Sequence, residues 1–309
     1  MKNKRILVTG GAGFIGSNLV DRLIEKGNKV VVIDNLSSGK KENLNPKAKF
    51  YKIDICSSKI EEIFKKEKPE IVFHLAAKIN LRKSIDDPIS DAKANILGSL
   101  NIFENCKKNN VKKIVFASTG GAIYGEDGPF PSSENFIEKP LSPYGIAKLS
   151  AEKYLYYYEK VFKIPSVSLR FSNVYGQRQN AKGEAGVIAI FSNSMILKKQ
   201  PLIFGNGKQT RDFIHVDDIV SALVAFSKKN VSGVFNVGSQ KETSVNEIFR
   251  KIKNLTEFKK GPKYVLQKEG EQKRSCLDIS KAKKEIGFGI SFDLDKGLEK
   301  TVLWFKNNI

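Results

Sequence analysis

The chain has 309 residues and carries 53 lysines and arginines against 33 aspartates and glutamates, a formal net charge of +20. Hydrophobic residues make up 40% of it and aromatic residues 10%, which excludes a disordered protein. Its apolar stretches end well short of the roughly 20 residues that a membrane-spanning helix needs, and the N-terminus has no signal-peptide pattern. The three cysteines lie far apart without a CxxC pair, which predicts no metal site and no disulfide framework. We therefore expect a cytoplasmic protein without a membrane partner.

The positive charge has two interpretations, a solvated surface or a nucleic-acid partner. Of the 53 basic residues, 45 are lysine and 8 are arginine, whereas phosphate and base recognition relies on arginine forks. The lysines are scattered along predicted helices, without a run of five or six like charges. We expect a solvated surface and no nucleic-acid partner, and we keep nucleic-acid binding as the alternative.

Strand and helix patterns alternate through the first half of the chain. Predicted strands cover residues 5–10, 29–34, 49–54, 70–75, 112–118 and 166–171. Amphipathic helices are predicted near residues 15–27, 57–67, 91–108, 143–161 and 293–307. Apolar strands separated by helices indicate a parallel sheet covered on both faces. The sequence therefore predicts an α/β fold. We expect a doubly wound (Rossmann) parallel sheet over residues 1–172, and a smaller, interwoven C-terminal α/β lobe over 173–309 with segments that return to the sheet.

A glycine-rich turn follows the first predicted strand and opens the first predicted helix. It includes Gly10, Gly13, Phe14, Ile15 and Gly16. Glycines let the backbone turn tightly and approach a pyrophosphate, whose charge is stabilised at the positive N-terminus of a helix. The pattern predicts a dinucleotide site, and a turn built for packing alone is the alternative.

The end of the second predicted strand bears on the choice of dinucleotide. Asp34 stands there, where a carboxylate accepts hydrogen bonds from the adenosine ribose and repels a 2′-phosphate. The sequence therefore predicts NAD as the cofactor, and the alternative for Asp34 is a cap of the following turn. Further cofactor contacts are expected at Asn35, Asp54, Ile55, Ala76, Ala77 and Asn95. A buried Asn95 could instead tie neighbouring loops together.

The segment from Ser142 predicts a helix that carries a base on its first turn. Ser142 suits the N-cap and Pro143 the first helical position. Tyr144 and Lys148 then lie one turn apart on the same face. A phenol has a pKa of about 10, and an ammonium one turn away stabilises its phenolate. We interpret the pair as the base for a sugar or alcohol hydroxyl, with an ordinary surface pair as the alternative.

Hydroxyl groups end the fifth predicted strand, where Ser118 or Thr119 could donate to the oxygen whose proton Tyr144 removes. With these residues in place, the chain resembles the extended short-chain dehydrogenase/reductase family, and most closely its nucleotide-sugar epimerases of the UDP-glucose 4-epimerase type. The matching motifs are TGGAGFIG, VIDNLSSG, HLAA, NILGSLN, STGGAIYG, SPYGIAK, LRFSNVYG, GEAGVIAIF and TRDFIHVDD. They follow the family's order over most of the chain.

The resemblance implies an NAD-dependent epimerase that acts at C4 of a UDP-hexose. In such enzymes NAD takes a hydride from C4 while the tyrosine takes the O4 proton, and the hydride returns to the other face of the 4-ketose. The resemblance makes Tyr144 the base, and Lys148 both the modulator of its pKa and a ligand of the nicotinamide ribose. It implies a substrate contact at Asn173 and diphosphate contacts at Arg211 and Lys268.

The sequence departs from the family at the hydroxyl partner of the tyrosine. Counted back from the Tyr-Gly pair at 124–125, the usual serine or threonine position holds Gly120. We expect Thr119 to take that role with Ser118 as its support. Nucleotide-sugar 4,6-dehydratases carry an acid and a carboxylate base in this loop, which Gly120 and Gly121 cannot replace. The loop therefore favours epimerisation over dehydration.

Two positions bear on the sugar. Relatives that accept a uronate often carry arginine near the place of Asn180, so a neutral hexose is favoured. Ser275 lies where some relatives have a bulky residue, and its small side chain is expected to admit N-acetylhexosamines as well as glucose and galactose.

Partners and alternatives complete the hypothesis. The aromatic stripe over residues 154–158 exceeds what core packing needs, and family members commonly pair the helices predicted at 91–108 and 143–161, so we expect a homodimer. The alternatives are a UDP-uronate epimerase, a 4,6-dehydratase, or an NAD-binding regulator without turnover. The regulator is motivated by Gly120 and the basic charge.

Overall fold

The computed structural model describes residues 2–126, 128–182, 186–267 and 272–309. The strands are β1 (Arg5–Thr9), β2 (Lys29–Asp34), β3 (Lys49–Lys52), β4 (Ile71–His74), β5 (Lys113–Thr119), β6 (Ser166–Phe171), β7 (Asn173–Tyr175), β8 (Leu202–Phe204), β9 (Thr210–His215), β10 (Gly233–Val237), β11 (Glu242–Ser244) and β12 (Lys263–Val265). The α-helices are α1 (Phe14–Glu25), α2 (Ile60–Glu67), α3 (Leu81–Asp86), α4 (Pro88–Ala92), α5 (Gly98–Lys108), α6 (Gly120–Ile123), α7 (Pro143–Phe162), α8 (Val187–Ile196), α9 (Val216–Lys228), α10 (Val245–Thr256), α11 (Ser280–Ile286) and α12 (Leu294–Asn308). A π-helical segment, Lys93–Leu97, joins α4 to α5, and a short 3₁₀ turn covers Lys41–Asn43.

Within the described residues, seven strands form one parallel sheet in the order β3-β2-β1-β4-β5-β6-β10. The chain starts at β1, proceeds outward to β3, and then returns to the other side of β1 with β4. The loops that leave β1 and β4 therefore diverge, and this strand-order reversal opens a crevice at the carboxyl ends of the strands. The doubly wound Rossmann fold predicted from the sequence is confirmed.

Helices cover both faces of the sheet because successive strand residues point to opposite sides. Ile6 and Val8 of β1 pack into a core with α1 and α9, whereas Leu7 between them packs into a second core with α2, α5 and α7. All three side chains are fully buried. This two-sided burial explains why the strands are apolar almost throughout.

The second half of the chain builds a smaller unit and also completes the main sheet. Strands β7, β9 and β11 form a three-stranded sheet, and β8 pairs with β12. Helices α8, α10 and α12 pack around a third core with Tyr175 and Phe213. Strand β10 leaves this unit and lies parallel to β6 at the edge of the main sheet.

The predicted element bounds agree with the structure to within a few residues, with one clear difference. The helix predicted over 91–108 begins earlier, because Pro88 occupies the first turn of α4 and the side chain of Asp87 accepts the N–H of Ser90 as a cap. It then passes through the π-helical segment before α5. No helix in the described ranges is long and apolar enough to cross a membrane.

Candidate active site

The glycine turn after β1 is packed backbone against backbone. Gly10 has φ of +71°, and a Cβ there would lie 2.7 Å from the backbone nitrogen of Ala76. A Cβ on Gly16 would overlap the carbonyl oxygen of Gly10. Helix α1 starts after Gly13 without a side-chain cap, so its positive end is open to an anion. The turn therefore fits the pyrophosphate of a dinucleotide.

Asp34 at the end of β2 braces this turn. Its Oδ2 accepts the backbone N–H of Ala12 at 3.0 Å, and its Oδ1 accepts that of Leu36 at 2.8 Å. The turn cap named as the alternative is thus present. Each carboxylate oxygen keeps a second acceptor site, and Asp34 lines the cleft beside the glycine turn, so the cap does not exclude a cofactor contact.

The predicted cofactor residues converge on one cleft of about 250 Å³. Those that line it are Gly10, Gly13, Phe14, Ile15, Gly16, Asp34, Asn35, Asp54, Ile55, Ala76, Ala77, Tyr144 and Lys148. Ser118 lines it as well, whereas Asn95 and Thr119 do not. Beside the end of β2, the Asn35 amide donates to Asp54 at 2.7 Å. The carboxyl ends of β1, β2, β4 and β5 thus meet at the crevice that the topology predicts.

Asn95 is buried and ties the loop after β4 to the helices beyond it. Its Oδ1 accepts the backbone N–H of Lys78, and its Nδ2 donates to the carbonyl oxygen of Lys78, both at 2.9 Å. The same amide donates to Asp91 Oδ1 at 2.9 Å. This geometry is the loop-tying role that the sequence left open for Asn95.

His74 continues this buried chain of hydrogen bonds. Ser99 donates to the carbonyl oxygen of Asn95 at 2.6 Å, so it accepts from Nε2–H of His74 at 2.9 Å. Nδ1 of His74 then accepts from the Thr9 hydroxyl at 2.7 Å. Burial lowers the pKa of His74 to about 3, so the ring is neutral at pH 7. These hydrogen bonds fix the loop after β4, which forms one wall of the cleft.

Tyr144 and Lys148 stand on one face of α7, as predicted. The hydroxyl of Ser142 accepts the N–H of Gly145 at 3.1 Å and starts the helix. The Lys148 Nζ lies 6.0 Å from the centre of the Tyr144 ring and donates to the carbonyl oxygen of Ala117 at 2.8 Å. The ammonium is therefore anchored on the end of β5, next to the phenol.

The acidities of this pair show that the Lys148 ammonium does not by itself make the phenol a base. Burial, and then the nearby Asp91 carboxylate, raise the pKa of Tyr144 well above its ordinary value. Burial lowers the pKa of Lys148 to about 8, while Asp91 and Glu152 raise it. The loss of hydration outweighs the attraction of Lys148 for a phenolate, so the protein alone holds a neutral Tyr144 at pH 7.

The two candidate hydroxyls at the end of β5 have different partners. Ser118 donates to the Glu152 carboxylate at 2.5 Å. Thr119 caps α6, because its oxygen accepts the N–H of Ala122 at 3.3 Å. Gly120 is the first residue of α6. Thr119 is the last residue of β5 and pairs in register with Phe171 of β6.

Of the predicted substrate residues, which belong to the second half of the chain, Asn173, Arg211 and Ser275 line neither this cleft nor the larger cavity beside it. Asn173 is exposed at the start of β7, and Arg211 lies on β9, the strand beside it. Ser275 is buried, and its Oγ would lie 3.7 Å from a Cβ added to Gly121. Ser275 therefore faces the loop that follows Thr119. Lys268 lies outside the described residues.

A second cavity, of about 660 Å³, adjoins the first. The two share Phe14, Ala77 and Lys78. Helices α3 and α4 and the loop around Asn180 supply its other walls. The cofactor cleft therefore continues into a wider space on the side of α3 and α4.

Comparison with known proteins agrees with this geometry. Residues 6–238 match the NAD dependent epimerase/dehydratase family. The chain belongs to that family. A UDP-glucose 4-epimerase from Mycolicibacterium smegmatis is 40% identical over 98% of this chain and 99% of its own length. A UDP-glucose 4-epimerase from Thermotoga maritima, solved with UDP-glucose, is 47% identical over 98% of this chain and 99% of its own, with a TM-score of 0.97. A UDP-N-acetylglucosamine 4-epimerase from Methanobrevibacter ruminantium, solved with UDP-N-acetylmuramic acid, is 38% identical over the full length of both chains, with a TM-score of 0.95.

Membership of this family confirms NAD as the cofactor predicted from the sequence. The tight glycine turn, the uncapped start of α1 and the Asp34 carboxylate all fit that dinucleotide.

Asp34 provides a test of cofactor choice. Asp34→Asn keeps an acceptor for the N–H of Ala12 but removes the charge that opposes a 2′-phosphate, so the preference for NAD over NADP should fall about tenfold, or roughly 1.4 kcal/mol. The ratio of the two dissociation constants, measured by calorimetry, checks this. Asp54→Asn serves as the control, because Asp54 lies in the loop after a different strand, β3, and there the ratio should stay as in the wild type. An unchanged ratio in Asp34→Asn would contradict the role given to Asp34.

Three buried charged residues near the base were missed in the sequence. Asp91 is 2% exposed, and its Oδ2 has no hydrogen-bond partner among the described residues. Glu152 and Arg170 form a buried ion pair behind Ser118. The helical spacing of Tyr144, Lys148 and Glu152, four residues each, was a signal for Glu152. The sequence held no comparable signal for Asp91, which depends on the packing of α4 against α7.

Proposed function

We propose that the chain is a C4 epimerase that interconverts UDP-galactose and UDP-glucose, with Tyr144 as the base. The observation that carries the proposal is the geometry of α7, which presents Tyr144 and Lys148 to the same cleft as the glycine turn. A phenol beside an ammonium at a dinucleotide site suits proton removal from a hydroxyl whose carbon loses a hydride. The similarity to UDP-glucose 4-epimerases over nearly the whole chain supports the same reaction.

Each residue of the pair has a defined task in this reaction. NAD supplies the acceptor for the C4 hydride when it is bound. Tyr144 takes the O4 proton as C4 is oxidised and gives it back as C4 is reduced. Lys148 contributes positive charge beside the phenol and a donor for the cofactor ribose. Because the proton and the hydride both return to the sugar, turnover needs no added oxidant or reductant.

The raised pKa of Tyr144 sets a condition on this assignment. A base must be a phenolate before it takes a proton, yet burial and Asp91 hold the phenol neutral at pH 7 in the protein alone. We infer that Tyr144 ionises only in the loaded enzyme, where the charge of the oxidised nicotinamide joins that of Lys148. Tyr144 would therefore be inactive as a base until the cofactor is in place.

We further propose that the second half of the chain binds the UDP group. Arg211 and Lys268 would meet the diphosphate, since charge-assisted hydrogen bonds suit an acidic ligand, and Asn173 would contact the substrate beside them. The relatives solved with UDP-glucose and with UDP-N-acetylmuramic acid support a UDP-sugar ligand. The division into a cofactor-binding part, 1–172, and a substrate part, 173–309, belongs to this proposal, as does a cytoplasmic location.

The sugar preference rests on two positions. Asn180 lines the second cavity and carries no charge to hold a uronate carboxylate, which favours a neutral hexose. Ser275 has a small side chain and faces Gly121, and it stands where a bulky residue would limit an N-acetyl group. We propose that the enzyme accepts UDP-glucose and UDP-galactose and also the N-acetylated forms.

The loop at 120–121 argues against the dehydratase alternative. Dehydration moves water between C5 and C6 and needs an acid and a carboxylate base there. A side chain at Gly120 would meet the side chain of Leu277 within about 2.5 Å. The Leu277 side chain closes this position and would have to shift before an acidic residue could be accommodated.

Turnover tests the proposed function directly. The purified protein with bound NAD is incubated with UDP-galactose and no reductant, and the sugars are separated by chromatography. We expect UDP-glucose to form until equilibrium is reached. A parallel panel with UDP-N-acetylgalactosamine and UDP-glucuronate ranks the substrates. Failure to convert any of them would leave the NAD-binding regulator as the better description.

The proposed enzyme is a homodimer, which α4, α5 and α7 are suited to form. Leu97 of the π-helical segment and Tyr154 and Tyr157 of α7 leave 59%, 41% and 46% of their surface exposed, and the two segments pack against each other. Light scattering at micromolar concentration should give twice the chain mass of 34.5 kDa. Leu97→Glu should shift the protein toward the single-chain mass, because a charge cannot be buried unpaired in an apolar interface.

Leu303→Glu is the matched control for this test, since Leu303 is also 59% exposed but lies on α12. It should leave the mass of the assembly unchanged. A wild-type protein of 34.5 kDa in solution would show that the exposed faces serve another purpose.

A further inference from the structure

A buried ion pair lies directly beneath the catalytic face of α7. Glu152 follows Lys148 by one helical turn, and its side chain is 1% exposed. Arg170 of β6 is also 1% exposed. Its Nε donates to both carboxylate oxygens of Glu152, at 3.0 and 3.2 Å, and its Nη2 donates to Oε2 at 2.6 Å. Such a fork fixes the carboxylate in position and direction.

The pair is embedded in further contacts that hold it at one place. Nη2 of Arg170 also donates to Glu138 at 2.7 Å. The guanidinium lies 4.9 Å from the centre of the Tyr124 ring, and the Tyr124 hydroxyl donates to Asn236 of β10 at 2.8 Å. Helix α7 and strand β6 are therefore joined at the Glu152 carboxylate, and Tyr124 connects the guanidinium to β10.

Glu152 also determines what Ser118 can do. In the sheet, Ser118 of β5 lies opposite Arg170 of β6, and its hydroxyl donates to Oε1 of Glu152 at 2.5 Å. A hydroxyl has one proton to donate. While that proton is held by a carboxylate, Ser118 can present only acceptor sites to the cleft. Thr119 accepts the N–H of Ala122, and no acceptor for its own proton is found in the described ranges.

We propose that Glu152 is a positioning residue of the active site, which binds the Ser118 hydroxyl and holds a negative charge one turn from Lys148, and so keeps Ser118 from donating to the substrate. The proposal rests on the proposed epimerase function. In this proposal the Ser118 hydroxyl links β5 to α7 and takes no part in proton transfer.

The charges around Lys148 give this proposal a pH signature. Asp91 of α4, His74 of β4, and Tyr144 and Glu152 of α7 surround the ammonium. His74 is neutral, and Lys78 is the next cation beyond Asp91. Burial lowers the pKa of Lys148 to about 8, and the Glu152 carboxylate opposes that shift. Removing the Glu152 charge should lower that pKa further, so the ammonium would be lost at a lower pH.

The experiment uses the NAD-loaded protein and four variants. Glu152→Gln should lower kcat for UDP-galactose about tenfold with KM within about twofold, because the substrate contacts remain. The alkaline limit of kcat should move to lower pH, and so should the pH above which NAD affinity falls. Ser118→Ala should retain kcat within about threefold, whereas Thr119→Ala should lose about a hundredfold, as expected for a donor to the reacting oxygen. Glu159→Gln, which removes a carboxylate elsewhere on α7, should change none of these.

The outcomes separate this proposal from its rivals. A folded Glu152→Gln protein with wild-type kcat and an unmoved pH limit would overturn it, as would a hundredfold loss in Ser118→Ala. If Glu152→Gln does not fold, Glu152→Gln/Arg170→Gln removes both charges of the ion pair. Because the net charge near Lys148 then stays the same, kcat is the deciding readout of this variant, and a wild-type kcat would overturn the proposal. If the wild type converts no UDP-sugar, the proposed function fails, and the pH dependence of NAD binding still decides whether Glu152 governs Lys148.

Discussion

Tyr144→Phe should lower kcat for UDP-galactose by about 10²–10⁴-fold, the usual contribution of general acid–base catalysis. The phenylalanine ring fills the same space. Among the described residues the phenol oxygen has no hydrogen-bond partner, since the contact of Tyr144 with Ser84 is made by its backbone N–H. NAD affinity and Tm should therefore stay at wild-type values. Chromatographic rates, calorimetry and thermal melting measure the three quantities.

Tyr154→Phe is the matched control for the base. Tyr154 lies on the same helix and leaves 41% of its surface exposed, so removing its hydroxyl should leave the rate unchanged. If Tyr144→Phe kept more than a tenth of the wild-type kcat, another group would have to take the O4 proton, and the proposed role of Tyr144 would be wrong.

Gly16→Ala should weaken NAD binding by about a hundredfold or more and lower Tm by several degrees. The added Cβ would overlap the carbonyl oxygen of Gly10 and lie 2.9 Å from Cα of Gly11. Both contacts are with backbone, which cannot move aside without opening the turn that receives the pyrophosphate. Overpacking of this kind costs about 1–3 kcal/mol or more, and roughly 1.4 kcal/mol corresponds to a tenfold change in affinity.

Gly289→Ala is the control for that substitution, because nothing lies within 4 Å of a Cβ added there. It should leave both NAD affinity and Tm unchanged or raise Tm slightly, since alanine has less freedom to lose on folding. Calorimetry with NAD and a thermal melt distinguish the two variants. Wild-type affinity in Gly16→Ala would mean that the cofactor does not approach this turn closely.

The main sheet could be predicted because one effect, burial of the strands, determines which residues they contain. Strands such as β1 and β4 are buried on both faces, so nearly every position is apolar and each strand forms a continuous hydrophobic run in the sequence. The bounds of α4 were missed because Asp87 and Pro88 start a helix through local hydrogen bonding and a fixed φ, which do not alter the hydrophobic pattern. The π-helical segment after it likewise has no distinct pattern.

The candidate site also has features that could be predicted from the sequence and features that could not. The glycine turn, Asp34 and the Tyr144–Lys148 pair lie close together in sequence or at strand ends, so their convergence follows from the topology. The ion pair of Glu152 with Arg170 depends on how α7 packs on β6. The acidity of Tyr144 depends on burial and on Asp91, and neither can be read from a spacing of four residues. The spacing of residues along the chain therefore identified the reacting groups, but not the burial and the neighbouring charges that determine their acidity.

The place of β10 at the edge of the main sheet has a consequence for dissecting the enzyme. A fragment that ended at residue 172 would keep the whole cofactor-binding motif, yet it would lack the strand that pairs with β6 from Ser166 to Phe171. It would also lose Phe235 and Val237, which are buried against α9. The bare edge of β6 would then be open to pairing with other chains. The residues that bind the dinucleotide lie within positions 1–172 of the sequence. The folding unit that holds them, however, extends to the strand at 233–237.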